Sequence, residues 1–368
     1  MSRSRPIYEP IPRHILLVRP DHLGDVLFLR PGLKRFREAL QDWHITLAVG
    51  PWSQAVAAND TDVDEIITIP FPGFNRNDGD TPWQPYRLLL GEADKLRDAR
   101  PAAIVILRDD HWWEGLVARL AGAPKIIGAE HPSMNGLLTA SVQVRSQHWA
   151  ARNVELLDCT ARMLGAEIDD HLPTPLCDPL RWNVTNHYRS SAAALLTSVG
   201  IERPFAVIHP GSGAPVKQWP TDRWARVADS LAEDGLSVIL TGSEAERPYV
   251  ARIVEAAQSR LTSIAGQTNV GCLAAVFDQA RVVAGVDSGP LHLAVAVDTP
   301  TVHIFGPSDI ACYGPWGDTR RHRVITAGLS CPRCGDLSLS RDEGAGCMVA
   351  VSVDTVLGSV RDLLSIHG

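Results

Sequence analysis

Short apolar runs alternate with helical patterns through the first half of the chain. Ile15–Val18, Ile45–Val49, Glu65–Ile69, Ala103–Leu107 and Lys125–Ile127 have strand length and strand composition. Between the first two, Val26, Leu29, Leu33, Phe36 and Leu40 recur at spacings of three and four, which marks one face of a helix. Pro31 falls inside that pattern, so it either bends the helix or sets its true start. Apolar strands separated by amphipathic helices predict a parallel sheet covered on both faces.

The second half repeats the pattern with Phe205–His209, Leu236–Leu240, Thr262–Ala265, Arg281–Val286 and Thr301–Phe305. Trp224, Val227, Ala228 and Leu231 form a helix face between the first two, with Thr221 as a candidate N-cap and Gly235 just past the end. The segment 170–186 is polar and carries Pro173, Pro175 and Pro179, which suits a linker. Val353–Ile366 is amphipathic, with Val356, Val360, Leu363 and Leu364 on one face. The expected architecture is α/β, with two Rossmann-like, doubly wound parallel-sheet domains over 1–180 and 181–350 and a terminal helical segment over 351–368. Ligands of such sheets bind outside the carboxyl ends of the strands.

The 368 residues are 45% hydrophobic and 21% charged, enough for two domains with their own cores. A net charge of -7 does not attract nucleic acid or an anionic membrane in general. No run approaches the roughly 18 apolar residues of a membrane span. The basic N-terminus leads only into the short run Ile15–Val18, so no signal peptide is expected and the cytoplasm is the default location. The seven cysteines are then not expected to pair as disulfides.

Candidate chemistry falls just after the strands. Arg19–Val26 (RPDHLGDV) follows the first strand, and Asp25 would lie near a helix N-terminus that stabilises a carboxylate. Such a group can take a proton from an attacking hydroxyl, although Asp25 or Asp21 could equally be a cap. In His209–Pro220 (HPGSGAPVKQWP), Gly211 and Gly213 allow close approach of an anion and Lys217 supplies a point charge. The spacing is neither a Walker loop nor G-x-G-x-x-G, and a plain Gly/Pro loop is the alternative. In Val286–Ala294 (VDSGPLHLA), Ser288 and the first helical N–H groups after Gly289 form a phosphate cradle. His292 follows within the first turn, either facing ligand or bonded to a carbonyl. Glu244 or Glu246 could accept from ribose hydroxyls, or simply open a solvated helix. Cys331 and Cys334 make a C-x2-C knuckle, and Cys312 and Cys347 could complete a tetrahedral shell for zinc or iron.

In this order the motifs resemble the family of the ADP-heptose:lipopolysaccharide heptosyltransferases, glycosyltransferase family 9. The matching residues are Leu23–Val26, Pro210-Gly211, Lys217–Pro220, Gly242 with Glu244, Asp287–His292 and Phe305–Pro307, across a span of about residue 14 to 366. The resemblance implies a GT-B fold, two Rossmann-like domains facing a cleft with the C-terminal helix crossing back to the first. It implies an inverting transferase with Asp25 as base and no metal or other cofactor for catalysis. The donor, a nucleotide-sugar such as ADP-heptose, would be held by Gly211, Ser212, Lys217, Glu244, Thr268, Asp287, Ser288, Gly289 and His292. The acceptor would be a saccharide, lipopolysaccharide-core-like or protein, met in the cytoplasm or at the inner face of the membrane. The cysteine loop over 312–347 resembles an iron-binding loop in family members that glycosylate secreted proteins.

Three departures qualify this. Asp21-His22-Leu23 stands before Gly24 where small hydroxylated residues are frequent, which leaves Asp21 or His22 as rival bases. Basic residues for gripping anionic core sugars are not obvious; Arg108–Trp113 (RDDHWW) instead suits a neutral or cationic sugar, or a packed loop. The cysteine match is partial. Competing readings are another nucleotide-sugar donor, a GT-B-like epimerase or phosphorylase, and a binding protein without catalysis.

Overall fold

The computed structural model describes residues 11–74, 83–169, 171–201, 204–329 and 346–367. The chain divides into two units, Met1–Pro173 and Thr174–Gly368.

In the first unit, β1 (Ile11–Arg19), β2 (His44–Val49), β3 (Glu65–Thr68), β4 (Pro101–Ile106), β5 (Ile126–Ala129) and β6 (Ala140–Val142) form one parallel sheet in the order β3-β2-β1-β4-β5-β6. Leu17 lies opposite Leu47 on one side and Val105 on the other, so the apolar runs sit in register at the centre. The periodic segment after β1 is two helices, Leu23–Leu27 and Arg30–Ala39. Pro31 sits in the first turn of the second, where a missing N–H leaves no helical bond unmade. A Cβ on Gly32 would come 2.9 Å from Leu157 Cδ1, so glycine is what lets this helix pack closely on helix Trp149–Met163.

The second unit repeats the plan. Its strands are β7 (Phe205–His209), β8 (Ser237–Leu240), β9 (Thr262–Ser263), β10 (Val283–Val286), β11 (Thr301–Phe305) and β12 (His322–Thr326), ordered β12-β11-β10-β7-β8-β9, all parallel. Helix Thr221–Glu233 begins one residue earlier than expected: Pro220 takes the N-cap and Thr221 is already helical. Gly235 closes it at φ +87°, a left-handed conformation glycine adopts without strain. The final helix, Val353–His367, buries Val356, Val360 and Leu363 in the same core as Trp224, Leu231, Val302 and Ile325. Arg361 of that helix pairs with Asp234 at 2.8 Å.

The apolar pattern did not reveal β6 and β12. β6 is only Ala-Ser-Val and β12 opens on His-Arg, so neither presents a continuous apolar run. In each unit the order reverses between the two central strands, β1 and β4 or β7 and β10, which is where doubly wound sheets open a crevice. Among the described residues no helix is long and apolar enough to cross a membrane.

Because Leu363 is fully buried in the second core, Leu363→Ala is expected to destabilise that unit by about 2–5 kcal/mol. Urea unfolding followed by tryptophan fluorescence reads this directly. An unchanged midpoint would mean that the last helix adds nothing to the core.

Candidate active site

At the carboxyl end of β1 the chain turns through Pro20–His22 into helix Leu23–Leu27. His22 is the N-cap and makes no side-chain cap bond, and Asp25 lies in the first turn. Free N–H groups and the helix dipole favour a carboxylate there. The Asp25 side chain remains 26% exposed and lies 3.8 Å from Arg19 Nη2. Arg19 itself is wholly buried. Its Nη1 donates to Leu107 O at 2.5 Å, its Nε pairs with Asp21 Oδ2 at 2.7 Å, and its guanidinium lies 5.2 Å from the Trp149 ring centroid.

These contacts separate the rival bases. Asp21 is buried, and both carboxylate oxygens meet guanidinium groups, Oδ2 that of Arg19 and Oδ1 that of Arg108. Its carbonyl accepts from Ser53 Oγ at 2.7 Å and Trp52 Nε1 at 3.1 Å. Asp21 is therefore a structural anchor. His22 lies beside the Trp52 ring, with centroids 5.9 Å apart.

The segment after β4 is built from ion pairs. Arg108 bonds Asp110 as well as Asp21, and Asp109 pairs with Arg152. The bond from Arg108 holds the Asp110 carboxyl below its ordinary range. His111 Nδ1 meets Glu114 Oε2 at 2.5 Å, and burial pushes the Glu114 carboxyl up despite that contact. The two tryptophans do not form a common sugar-facing wall. Trp113 is buried in the core and donates to Pro85 O at 2.9 Å, whereas Trp112 is 37% exposed. The aromatic groups gathered at this edge are Trp52, Phe74 and His111, with centroids 6.4 and 5.1 Å apart in that sequence.

In the second unit three of the expected residues meet. Lys217 ends a short turn, Pro215–Lys217, after β7, and its Nζ lies 2.6 Å from Asp287 Oδ2 just after β10. His292 Nε2 faces Asp287 Oδ1 at 3.6 Å from helix Gly289–Ala296. Burial raises the Asp287 carboxyl, but His292 and the Lys217 charge outweigh it and hold the group well below the usual carboxylate range. Ser288 is the N-cap of that helix, and its buried Oγ has no hydrogen-bond partner among the described residues. Behind His292, His303 lies 5.9 Å away ring to ring; its Nε2 contacts Thr301 Oγ1 at 2.8 Å, which meets His322 Nδ1 at 2.9 Å. Burial keeps His303 well below the ordinary histidine range, hence neutral. The sequence reading missed these histidines because they lie inside strands.

A Cβ on Gly211 would stand 2.1 Å from Glu246 Oε1, so a larger residue there would displace that side chain. Glu246 Oε2 accepts from Ser243 N at 2.7 Å in a capping box, so this glutamate is a cap. Glu244 is the outward-facing alternative, 72% exposed and 2.9 Å from Arg247 Nη1. Its Oε2 would lie 2.2 Å from a Cβ on Gly266, two residues before the half-buried Thr268. Ser212 Oγ accepts from Ala214 N at 3.3 Å. Glu244 and Thr268 thus follow β8 and β9, on the flank of the Lys217–Asp287 pair.

Of the four cysteines, Cys331 and Cys334 lie outside the described residues. Cys347 is buried beside Gly306, and the Cys312 thiol donates to Asp309 Oδ2 at 3.4 Å. Among the described residues no group of three or more His, Cys, Asp or Glu side chains is arranged to hold a metal.

The chain belongs to glycosyltransferase family 9, the heptosyltransferases: the model of that family matches residues 95–335. It is accordingly a glycosyltransferase, and its two six-stranded parallel sheets are those of the GT-B fold. The lipopolysaccharide heptosyltransferase 2 of Salmonella typhimurium is 24% identical over 96% of this chain and 99% of its own length. Among solved structures, a family 9 glycosyltransferase from Veillonella parvula superposes with a TM-score of 0.79 at 21% identity, covering 96% of this chain and 98% of that one. The ADP-heptose lipopolysaccharide heptosyltransferase II of Escherichia coli gives 0.74 at 20% identity, covering 96% and 99%.

The depressed Asp287 carboxyl sets a pH dependence. A carboxyl held lower in the folded state than in the unfolded contributes stability that is complete above the unfolded value, about pH 4, and fades as pH falls toward the folded one. Lys217→Met should therefore raise the acid-unfolding midpoint of the second unit, because Asp287 then takes up its proton at higher pH. Acid titration followed by circular dichroism checks this, and an unshifted midpoint would show that the pair carries no stability.

Proposed function

We propose that this chain is an inverting heptosyltransferase that moves a heptose from an ADP-linked donor to a saccharide acceptor of the lipopolysaccharide-core type, with Asp25 as general base. The observation that carries the reading is the part-buried Lys217–Asp287 pair beside the Ser288 hydroxyl at a helix N-terminus, which has no hydrogen-bond partner among the described residues. An ammonium has three donors, and Asp287 occupies one. The pair fixes Lys217 in place with donors left for a diphosphate. The Ser288 hydroxyl and the first N–H groups of helix Gly289–Ala296 complete an anion cradle. Glu244 and Thr268, after β8 and β9, are assigned to the nucleoside, with Gly211 and Ser212 lining the loop.

The chemistry is a single displacement. The acceptor oxygen bonds to the anomeric carbon as its proton passes to the Asp25 carboxylate. The bond from that carbon to the diphosphate oxygen breaks, and its electron pair leaves with ADP. Negative charge on the leaving group grows toward the transition state, so Lys217 and the N–H groups bind that state more strongly than the ground state. In this reading Lys217 supplies the positive charge without a metal ion. Attack opposite the leaving group inverts the anomeric centre. The names of the Salmonella and E. coli relatives support heptose as the sugar, ADP as the carrier and lipopolysaccharide as the destination.

Asp25→Asn is expected to lower kcat by roughly 10²–10⁴-fold, the usual contribution of a general base, and to leave ADP-heptose affinity unchanged. Calorimetric titration beside a transfer assay separates the two, and an equal loss of donor affinity would move Asp25 to a binding role. For the nucleotide, ADP should raise the thermal midpoint more than UDP or GDP, and the increment should vanish in Lys217→Ala. A larger response to UDP or GDP would overturn the ADP assignment.

A further inference from the structure

We infer that His111, held by the buried Glu114, bonds a hydroxyl of an uncharged acceptor sugar whose ring packs on Trp52 and Phe74. The inference rests on the reading of Asp25 as base, because the hydroxyl that Asp25 deprotonates then lies at the carboxyl end of the first sheet. His111 follows β4 as the N-cap of helix Trp112–Ala121 and makes no side-chain cap bond. Its Nδ1 instead meets Glu114 Oε2 at 2.5 Å. The Glu114 side chain is wholly buried, and its Oε1 has no hydrogen-bond partner among the described residues. A half-satisfied buried carboxylate lowers stability, and a helix start needs none, since a surface serine or aspartate caps it as well. What Glu114 does fix is the imidazole. With Nδ1 tied, the ring has one orientation, and Nε2 is the nitrogen left for a ligand on a side chain that is 23% exposed. Either tautomer serves, because a sugar hydroxyl both donates and accepts.

The neighbouring surface is aromatic. The Phe74 ring meets His111 edge-on at 5.1 Å, and the Trp52 ring stacks on Phe74 at 6.4 Å with 16° between planes. Trp52 Nε1 donates to Pro20 O at 3.0 Å and to Asp21 O at 3.1 Å, which fixes that ring against the turn leading into the helix of Asp25. The three side chains follow β2, β3 and β4 and are all half-buried. Fixed aromatic rings suit the apolar C–H face of a sugar ring, and one placed polar group sets its orientation. The charges around them are already matched: Arg108 bonds Asp21 and Asp110, and Arg152 bonds Asp109. A phosphate or carboxylate on the sugar would find each of these arginines occupied and their carboxylates repelling it, so the edge favours an uncharged ring.

Transfer kinetics on the full chain test this, with ADP-heptose as donor and an uncharged lipopolysaccharide-core oligosaccharide or its phosphorylated counterpart as acceptor. The uncharged acceptor should have the higher kcat/KM by at least about tenfold, since like charges brought together oppose binding. His111→Asn keeps an amide where Nδ1 meets Glu114 but removes Nε2. It should raise the acceptor KM roughly three- to tenfold, the loss of one hydrogen bond, and leave the affinity for ADP as it is. His111→Gln carries its amide nearer the Nε2 position and should recover part of that loss, whereas a residue that merely holds Glu114 would favour Asn over Gln. A native acceptor KM in His111→Asn, a Gln variant no better than Asn, or a higher kcat/KM with the phosphorylated acceptor would overturn the inference. Phe74→Leu, a change outside the His111–Glu114 contact, should raise the same KM, and an unchanged KM there counts against the inference where the His111 variants do not fold. Failure of the base reading is distinct: Asp25→Asn alone would then retain full kcat.

Discussion

The site of the second unit depends on one ion pair, the part-buried Lys217 with the buried Asp287. A carboxylate taken out of water carries a desolvation cost, which the attraction of a cation offsets only in good geometry with further partners. Here the geometry is set by the fold. Lys217 arrives on the loop after β7 and Asp287 ends the run of β10, neighbouring strands at the point where the sheet order reverses. His292 adds the contact to the second carboxylate oxygen. Removing any of the three would leave a buried charge or donor without its complement, so the pair ties sheet, loop and helix start into one construction. The cradle at Ser288 is a consequence, because the same turn that delivers Asp287 opens helix Gly289–Ala296.

The first unit meets the same constraint with different residues. At its own reversal point, between β1 and β4, Arg19, Asp21 and Arg108 form a chain of alternating charge. This chain holds the two strand ends together through Asp21. Asp25 stands at its margin, close to Arg19 yet partly open to solvent. Asp21 and the proposed base Asp25 thus stand four residues apart, and burial divides them.

Much of this was legible in the sequence. The central strands announce themselves because a parallel sheet covered on both faces needs unbroken apolar runs, as in Ile15–Val18 or Phe205–His209. Of the four edge strands, β6 and β12 do not, since their short runs carry Ser141 or His322 and Arg323. Lys217, Asp287, Ser288 and His292 could be named from motif order because each follows a strand end. What periodicity could not reveal was pairing across long separations: Arg19 with Leu107, Asp109 with Arg152, His303 with His292. Nor could it separate Asp21 from Asp25, or Glu244 from Glu246. Those distinctions rest on which carboxylate the packing closes over, and on Glu246 being claimed as a cap beside Gly211. Trp112 and Trp113 are adjacent in sequence, yet Trp112 is partly exposed at the helix start and Trp113 is buried in the core.

The central claim is a direct displacement at the anomeric carbon, driven by a carboxylate that removes the acceptor proton. Its most direct test is the anomeric configuration of the product. With ADP-heptose as donor and a lipopolysaccharide-core saccharide as acceptor, proton NMR of the purified product should show the heptose linked with the configuration opposite to that in the donor. A product that keeps the donor configuration would contradict the account.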